Sequence, residues 1–173
     1  MSRAVALTAV ACALAASAAC GYRFAGTGAG VLPSYVQAIA VESFANRTER
    51  PEIEQRITEA LTRELSRRGR YRVVSDPSTA DAVLVGAITS YRTPPVEFTS
   101  AGRQSRVEAT VTLEATLRER ARDAVLWSQS GLVFKQPFDV PDSGVYVDQE
   151  SVALDLLARQ VADTLVTSML EGF

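Results

Sequence analysis

The sequence contains no histidine, and this absence removes the side chain most often used in catalysis. Without it, no Ser-His or Cys-His pair can form, and the commonest protein ligand for zinc is missing. The carboxylates offer little in its place. Glu108 and Glu114 fall on the same face of one expected strand, about 20 Å apart, well beyond the spacing of a catalytic acid pair. We therefore expect no enzyme activity, no metal site and no cofactor.

Cysteine is scarce as well, with two residues in the chain. Cys12 lies in an apolar run over residues 4–16 that is too short for a membrane span, which needs about 20 residues. Arg3, this run and the small residues before Cys20 are typical of a secretory signal peptide. We expect residues 1–19 to be removed. Cys20 is then the only cysteine left, so an internal disulfide is excluded.

The segment around the expected cleavage point resembles a bacterial lipobox, in which the cysteine is acylated and becomes the new N-terminus. It consists of Ser17-Ala18-Ala19-Cys20-Gly21. Such motifs usually have leucine at the place of Ser17, so cleavage by the ordinary signal peptidase after Ala19 is the alternative. We expect Cys20 to be a lipid anchor. Residues 20–33, rich in glycine and without periodicity, are then a lipidated flexible tether, and residues 34–173 a single helix-on-sheet domain.

Lysine is almost absent too, since Lys135 is the only one and the other basic residues are arginines. Acidic residues outnumber basic ones by 20 to 18, which gives a net charge of −2. Nucleic-acid-binding domains need a strong basic excess. The sequence therefore argues against nucleic acid as a partner.

Hydrophobic periodicity predicts two helices and several strands. Between residues 51 and 68 an apolar residue recurs every fourth position, which indicates an amphipathic helix that ends before Gly69. From Val107 to Leu117 apolar and polar residues alternate strictly, as in a strand with one buried face. The remaining expected elements are strands at 36–44, 71–74, 82–91 and 125–134 and a helix at 148–170.

This order of elements predicts an α/β fold, a two-layer sandwich. Two helices pack on one face of a mixed four- to five-stranded sheet, because each helix has one apolar stripe to bury. The strand at 82–91 is apolar on both faces, so we expect it to be central with cover on both sides. Residues 96–104 and 138–144 are expected to be loops.

Four basic residues near strand ends are the candidates for ligand binding. Arg92 follows the strand expected at 82–91, and Lys135 follows the strand expected at 125–134. Arg103 and Arg106 come after the expected polar loop. If they gather at one rim of the sheet, they suit an amphiphile with phosphate groups and acyl chains, since aromatic residues lie nearby in the sequence. These are Tyr91, Phe98, Phe134 and Phe138. The alternative is a set of ordinary solvated arginines.

The order of motifs resembles the LptE family of lipopolysaccharide-assembly lipoproteins. The segments that carry the resemblance are Cys20-Gly21-Tyr22-Arg23-Phe24, Phe44-Ala45-Asn46, Gly69-Arg70-Tyr71, Ala80 to Gly86, and Leu170-Glu171-Gly172-Phe173. They are spread over nearly all of the chain after Cys20. The Ala80 to Gly86 stretch also resembles other envelope lipoproteins and the N-terminal domain of TolB-like proteins.

The resemblance implies a function at the outer membrane. Proteins of this family are anchored in its inner leaflet, facing the periplasm, and sit as a plug inside the LptD barrel. They assist assembly of lipopolysaccharide, which they contact through basic residues. Arg92, Arg103, Arg106 and Lys135 are the candidates here. The alternative is an envelope lipoprotein of similar fold that serves another secretion or transport complex.

Overall fold

The computed structural model describes residues 32–140 and 149–171. The expected signal peptide, Cys20 and most of the expected tether lie outside these residues. The described elements are β1 (Ala38–Val41), β2 (Ala45–Asn46), α1 (Ile53–Arg68), β3 (Arg72–Val74), β4 (Ala82–Arg92), β5 (Pro95–Phe98), β6 (Gln104–Glu119), β7 (Val125–Asp139) and α2 (Gln149–Glu171), with a short 3-10 turn at Pro77–Thr79.

The predicted first helix is confirmed. Its stripe residues Ile53, Ile57, Leu61 and Leu65 are all buried. At its end Gly69 has a φ of 64°, and its N–H bonds the Ser66 carbonyl at 3.2 Å. Glycine adopts this left-handed conformation without steric cost, so it ends the helix.

The sheet is mixed, as predicted. β1 pairs in parallel with β3 and β4, while β4, β6 and β7 pair antiparallel. Among the described residues it has seven strands, which is more than the four or five expected. The reason is that two positions are interrupted. β1 and β2 lie along one edge of β4, and β4 and β5 lie along one edge of β6.

Both interruptions have a local cause. Before β2 the chain turns inward to bury Phe44, whose N–H bonds the Thr58 hydroxyl of α1 at 3.1 Å instead of continuing the ladder. Before β5 lies Pro94, which has no N–H to donate to a ladder; its carbonyl accepts from the Glu108 N–H at 3.0 Å.

Two expected loops begin later in the chain than predicted. Residues 95–98 form β5 instead of a polar loop, and β7 continues to Asp139 instead of ending at Phe134. Pairing with β6 explains why both segments are strands. β6 is 16 residues long, and its first residues pair with β5 on one side and with the end of β7 on the other. β5 is exposed along its whole length, so its sequence shows no alternation, and the end of β7 alternates only between exposed and half-buried residues.

Both helices pack on the same face of the sheet, as predicted. The buried side chains of α1, α2 and the odd-numbered positions of β6 belong to one hydrophobic cluster. β4 is central, as expected, but the prediction of cover on both sides is wrong for the described residues. Leu84 and Ile88 are buried under the helices, while Val83 and Val85 are half-buried on the opposite face. We call that opposite face, with the even-numbered side chains of β6, the open face.

The stretch from Ala80 to Gly86 fixes the start of the sheet. Ala80, Ala82 and Leu84 are buried. The Asp81 carboxylate accepts hydrogen bonds from the backbone N–H groups of Gln37 and Ala38, at 2.9 and 2.8 Å. These bonds hold the chain where it enters β1, and they lower the pKa of Asp81 below its ordinary value.

Candidate functional site: a basic row on the open face

The register of three strands brings two of the candidate residues together. Arg92 of β4 lies opposite Thr110 of β6, and Thr110 lies opposite Lys135 of β7. Residues paired across strands share a face, so these three side chains form one row on the open face. Two strand spacings separate the backbones of Arg92 and Lys135, about 10 Å. We call these three residues the basic row.

The two cations of the basic row have different surroundings. Lys135 Nζ lies 2.9 Å from Glu108 Oε1, and its side chain is 59% exposed against 23% for Glu108. Arg92 is exposed and makes no ion pair with any of the described residues. A ligand with negative charge therefore meets one guanidinium that has no ion pair within the described part of the chain and one ammonium that is already paired.

Arg106 lies on the same face but is held by acidic neighbours. It pairs across the sheet with Glu97 of β5 and Asp139 of β7, and its guanidinium lies 3.7 Å from each carboxylate. Its backbone is four residues along β6 from Thr110, about 13 Å. Two carboxylates around one guanidinium leave little net positive charge for a ligand.

Arg103 is not part of the row. It lies in the turn between β5 and β6, where its carbonyl accepts from the Thr99 N–H at 2.8 Å and its own N–H bonds the Thr99 hydroxyl at 3.2 Å. The structure therefore brings Arg92 and Lys135 together, places Arg106 further along the same face, and leaves Arg103 at the hairpin turn.

The expected aromatic neighbours lie mostly on the other side of the sheet. Phe134 is 6% exposed, and Phe138 packs against the hydrophobic cluster under the helices. The Tyr91 hydroxyl donates to Glu150 of α2 at 2.6 Å, and burial together with this hydrogen bond raises the pKa of Tyr91. Of the four aromatics only Phe98 is strongly exposed. The exposed apolar residue next to the row is Val133, which lies opposite Thr112.

Two residues of the site were missed by the sequence reasoning. Thr110 lies between the cations, and Glu108 contacts Lys135. Both were assigned correctly to the solvent side of their strand, but nothing near them in the sequence indicates Lys135. The missing information was the register of the β6–β7 pair, which shifts between Leu113 and Ala115 where β7 bulges at Gly131, with a φ of 68°.

Comparison with known proteins decides the family. The family model LptE, described as lipopolysaccharide-assembly, matches residues 36–169. The chain belongs to this family. The match covers all described strands and nearly all of α2, including the basic row. The resemblance found in the order of sequence motifs is thereby confirmed, and the chain is a member of an LptE-type lipopolysaccharide-assembly lipoprotein family.

Solved structures support the fold. A putative lipoprotein from Caulobacter crescentus is similar with a TM-score of 0.53 and 12% identity, over 74% of this chain and 88% of that one. A protein from Xanthomonas campestris has a TM-score of 0.53 and 16% identity, over 81% of this chain and 90% of that one. At such identities the likeness concerns the fold alone. No curated protein matches the chain in sequence.

Neither described helix is long and apolar enough to cross a bilayer. Within residues 32–140 and 149–171, no three acidic, cysteine or histidine side chains are grouped closely enough to hold a metal ion.

Proposed function

We propose that the chain is an outer-membrane lipoprotein that assists lipopolysaccharide assembly as the plug of an LptD-type β-barrel. In this proposal residues 1–19 are the signal peptide, Cys20 carries the lipid anchor at the end of the 20–33 tether, and residues 34–173 face the periplasm as one domain. The chain acts by binding, with no catalytic step. Membership of the LptE family supports the general part of this proposal, a role in lipopolysaccharide assembly.

The basic row is the observation that supports lipid binding. A phosphate group between Arg92 and Lys135 is within reach of a guanidinium, a hydroxyl and an ammonium, which are all hydrogen-bond donors. Hydrogen bonds to charged partners are stronger than neutral ones. Lipopolysaccharide carries such phosphates, so we assign the row as its contact. Arg106 and Arg103 are secondary contacts, because one is neutralised and the other lies at the turn.

The open face also suits a plug in a polar lumen. Along β6 it carries Glu108, Thr110, Thr112, Glu114, Thr116 and Arg118, and the ion pair between Arg47 and Glu114 at 3.0 Å lies on it. Charges of both signs alternate with hydroxyl groups here. A polar barrel wall can hydrogen-bond such a surface directly or through water.

The lipid contact is tested by reversing both charges of the row. We expect the double variant R92E/K135E to bind lipopolysaccharide about tenfold or more weakly, since two charge-assisted contacts of roughly 1 kcal/mol each are lost. Binding by the unaltered chain should also weaken with salt. The matched control is R63E/R122E, which makes the same change in net charge at exposed positions outside the row. Equal losses in the two variants would contradict the assignment.

The partner is tested by purification. A tagged chain solubilised from outer membrane in detergent should retain a large LptD-type β-barrel at near one-to-one ratio, identified by mass spectrometry. A different envelope complex in its place would favour the alternative, a lipoprotein of this fold that serves another secretion or transport complex.

A further inference from the structure

Within the basic row Lys135 is already occupied by an anionic group of the chain itself. Glu108 lies two residues from Thr110 along β6, on the same face, and its carboxylate is 2.9 Å from Lys135 Nζ. The backbone of Glu108 is fixed, because its N–H bonds the Pro94 carbonyl at 3.0 Å. A phosphate bridging Arg92 and Lys135 must therefore take the ammonium from Glu108.

We propose that Glu108 is an internal competitor that restricts the basic row to doubly charged phosphate groups. A phosphomonoester dianion attracts Lys135 strongly enough to displace Glu108, whereas a singly charged diester or carboxylate merely replaces one carboxylate by another anion. This inference rests on the proposed function in that it takes the row as the phosphate contact. It adds the class of phosphate that the row accepts.

The exposure of the pair supports a reversible contact. Ion pairs between exposed side chains contribute only about 0.2 to 1 kcal/mol, and the Lys135 side chain is 59% exposed. Such a pair can be exchanged for a better one. Arg92 has no carboxylate among the described residues, so it attracts the ligand first without having to break a contact. Arg106 differs, because two carboxylates flank it.

A single signal can report the contact. Lys135 is the only lysine of the chain, so lysine labelled at its side chain gives one side-chain resonance in the detergent-solubilised full-length protein. The variant E108Q should shift this resonance without any ligand, because the ion pair is lost. The probes are inorganic phosphate, at a pH where it is mainly a dianion, and dimethyl phosphate, a monoanion.

In the unaltered protein phosphate should shift the Lys135 resonance at concentrations several-fold lower than dimethyl phosphate does. In E108Q both probes should bind about two- to fivefold more tightly, because neither has to break the ion pair, and this factor corresponds to the free energy of an exposed ion pair. The matched control is E114Q, the same substitution on the same strand and face, about 20 Å away beside Arg47. It should behave as the unaltered chain.

Several outcomes overturn the inference. They are an unchanged Lys135 resonance in E108Q, equal gains in E108Q and E114Q, the absence of any response to phosphate in both proteins, or equal responses to the two probes in the unaltered chain. The lipopolysaccharide experiment fails separately. If R92E/K135E binds lipopolysaccharide normally while E108Q still tightens phosphate binding, the proposed lipid contact is wrong and the competition stands. The reverse pattern leaves the lipid contact and removes the competitor.

Discussion

At the scale of single residues, the carboxylate of Asp81 has the clearest structural role. It accepts two backbone hydrogen bonds at the start of β1, and these bonds, together with nearby Arg72 and Arg120, lower its pKa below the ordinary value of 3.8. A carboxyl group with a lowered pKa in the folded state stabilises the protein above its unfolded pKa. The stabilisation is lost as the pH falls through the folded pKa.

We therefore predict a pH-dependent effect of D81N. Near neutral pH the variant should lose about 1 kcal/mol of unfolding free energy, since an amide accepts these bonds less well than a carboxylate. The difference from the unaltered chain should shrink below about pH 4. Urea unfolding followed at several pH values measures it. A difference that stays constant down to low pH would contradict the role of the charge.

Gly86 is a second residue with a defined role. The Phe44 ring lies directly over it, and a Cβ atom added at Gly86 would collide with that ring and lie 2.7 Å from the Glu114 carbonyl oxygen. We predict that G86A lowers the unfolding free energy by about 1 to 3 kcal/mol, the range for overpacking. Thermal unfolding measures it, with V85A on the open face as the control. A neutral G86A would mean that Phe44 can move away.

The individual site residues were predicted from the sequence only in part. Arg92 and Lys135 stood out because each follows or ends a strand expected from the sequence and has aromatic residues nearby in the sequence. Glu108 and Thr110 did not, because their relation to Lys135 depends on which residues of β6 and β7 face each other. A shift of that register by one residue would place Lys135 on the other face of the sheet.

At the scale of elements, a network of ion pairs joins the two helices. Glu64 of α1 is 10% exposed and accepts from Arg67 and from Arg68 Nε. Burial alone would raise the pKa of Glu64, but the hydrogen bonds from the two arginines outweigh it and the pKa is lowered. Arg68 continues to α2, where it bonds the Thr167 hydroxyl at 2.7 Å and Asp163 at 3.0 Å. The network holds α1 against α2.

We predict that R68A destabilises the protein at least twice as much as R63A. Both substitutions remove an arginine from α1. Among the described residues Arg63 has one ion pair, an exposed contact with Glu59 at 3.5 Å, and such pairs contribute little. Loss of Arg68 removes bonds to two helices at once. Urea unfolding of the two variants measures the ratio. Equal losses would show that the contacts to α2 do not stabilise the helix pair.

The elements themselves were predictable where their periodicity is strong. α1 and β6 have one buried and one exposed side along their whole length, and both were predicted close to their bounds. The interruptions between β1 and β2 and between β4 and β5 were not predicted. The first depends on the packing of Phe44 over Gly86, and the second on the hydrogen bond between the Pro94 carbonyl and Glu108 of β6. Both contacts join residues that are distant in the sequence.

At the scale of the whole molecule, Trp127 lies at the contact between the sheet and the second helix. It is the only tryptophan, and its indole N–H donates to the Ser168 hydroxyl of α2 at 3.3 Å, beside a bond from Gln129 at 2.8 Å. One hydrophobic cluster connects both helices with the sheet. We therefore predict that tryptophan fluorescence and far-UV circular dichroism show the same unfolding midpoint. Separate midpoints would mean that α2 detaches independently.

The distribution of side chains over the two faces also belongs to this scale. The helices cover one face of the sheet, and the open face is left with charges of both signs and hydroxyl groups. The sequence pattern of β6 already indicated this division, since its apolar and polar residues alternate. The apolar residues on both faces of β4 led to the prediction that both faces are covered. That prediction is wrong for the described residues, because Val83 and Val85 are only half-buried on the open face.

Local patterns in this sequence were sufficient for the two helices, the alternating strand and the layer order, because burial repeats every 3.6 residues in a helix and every two in a strand. They were also sufficient to suggest the family. The basic row and its acidic neighbour required the folded chain. Arg92, Glu108 and Lys135 come from three strands, and only the pairing register across β4, β6 and β7 brings their charges onto one face.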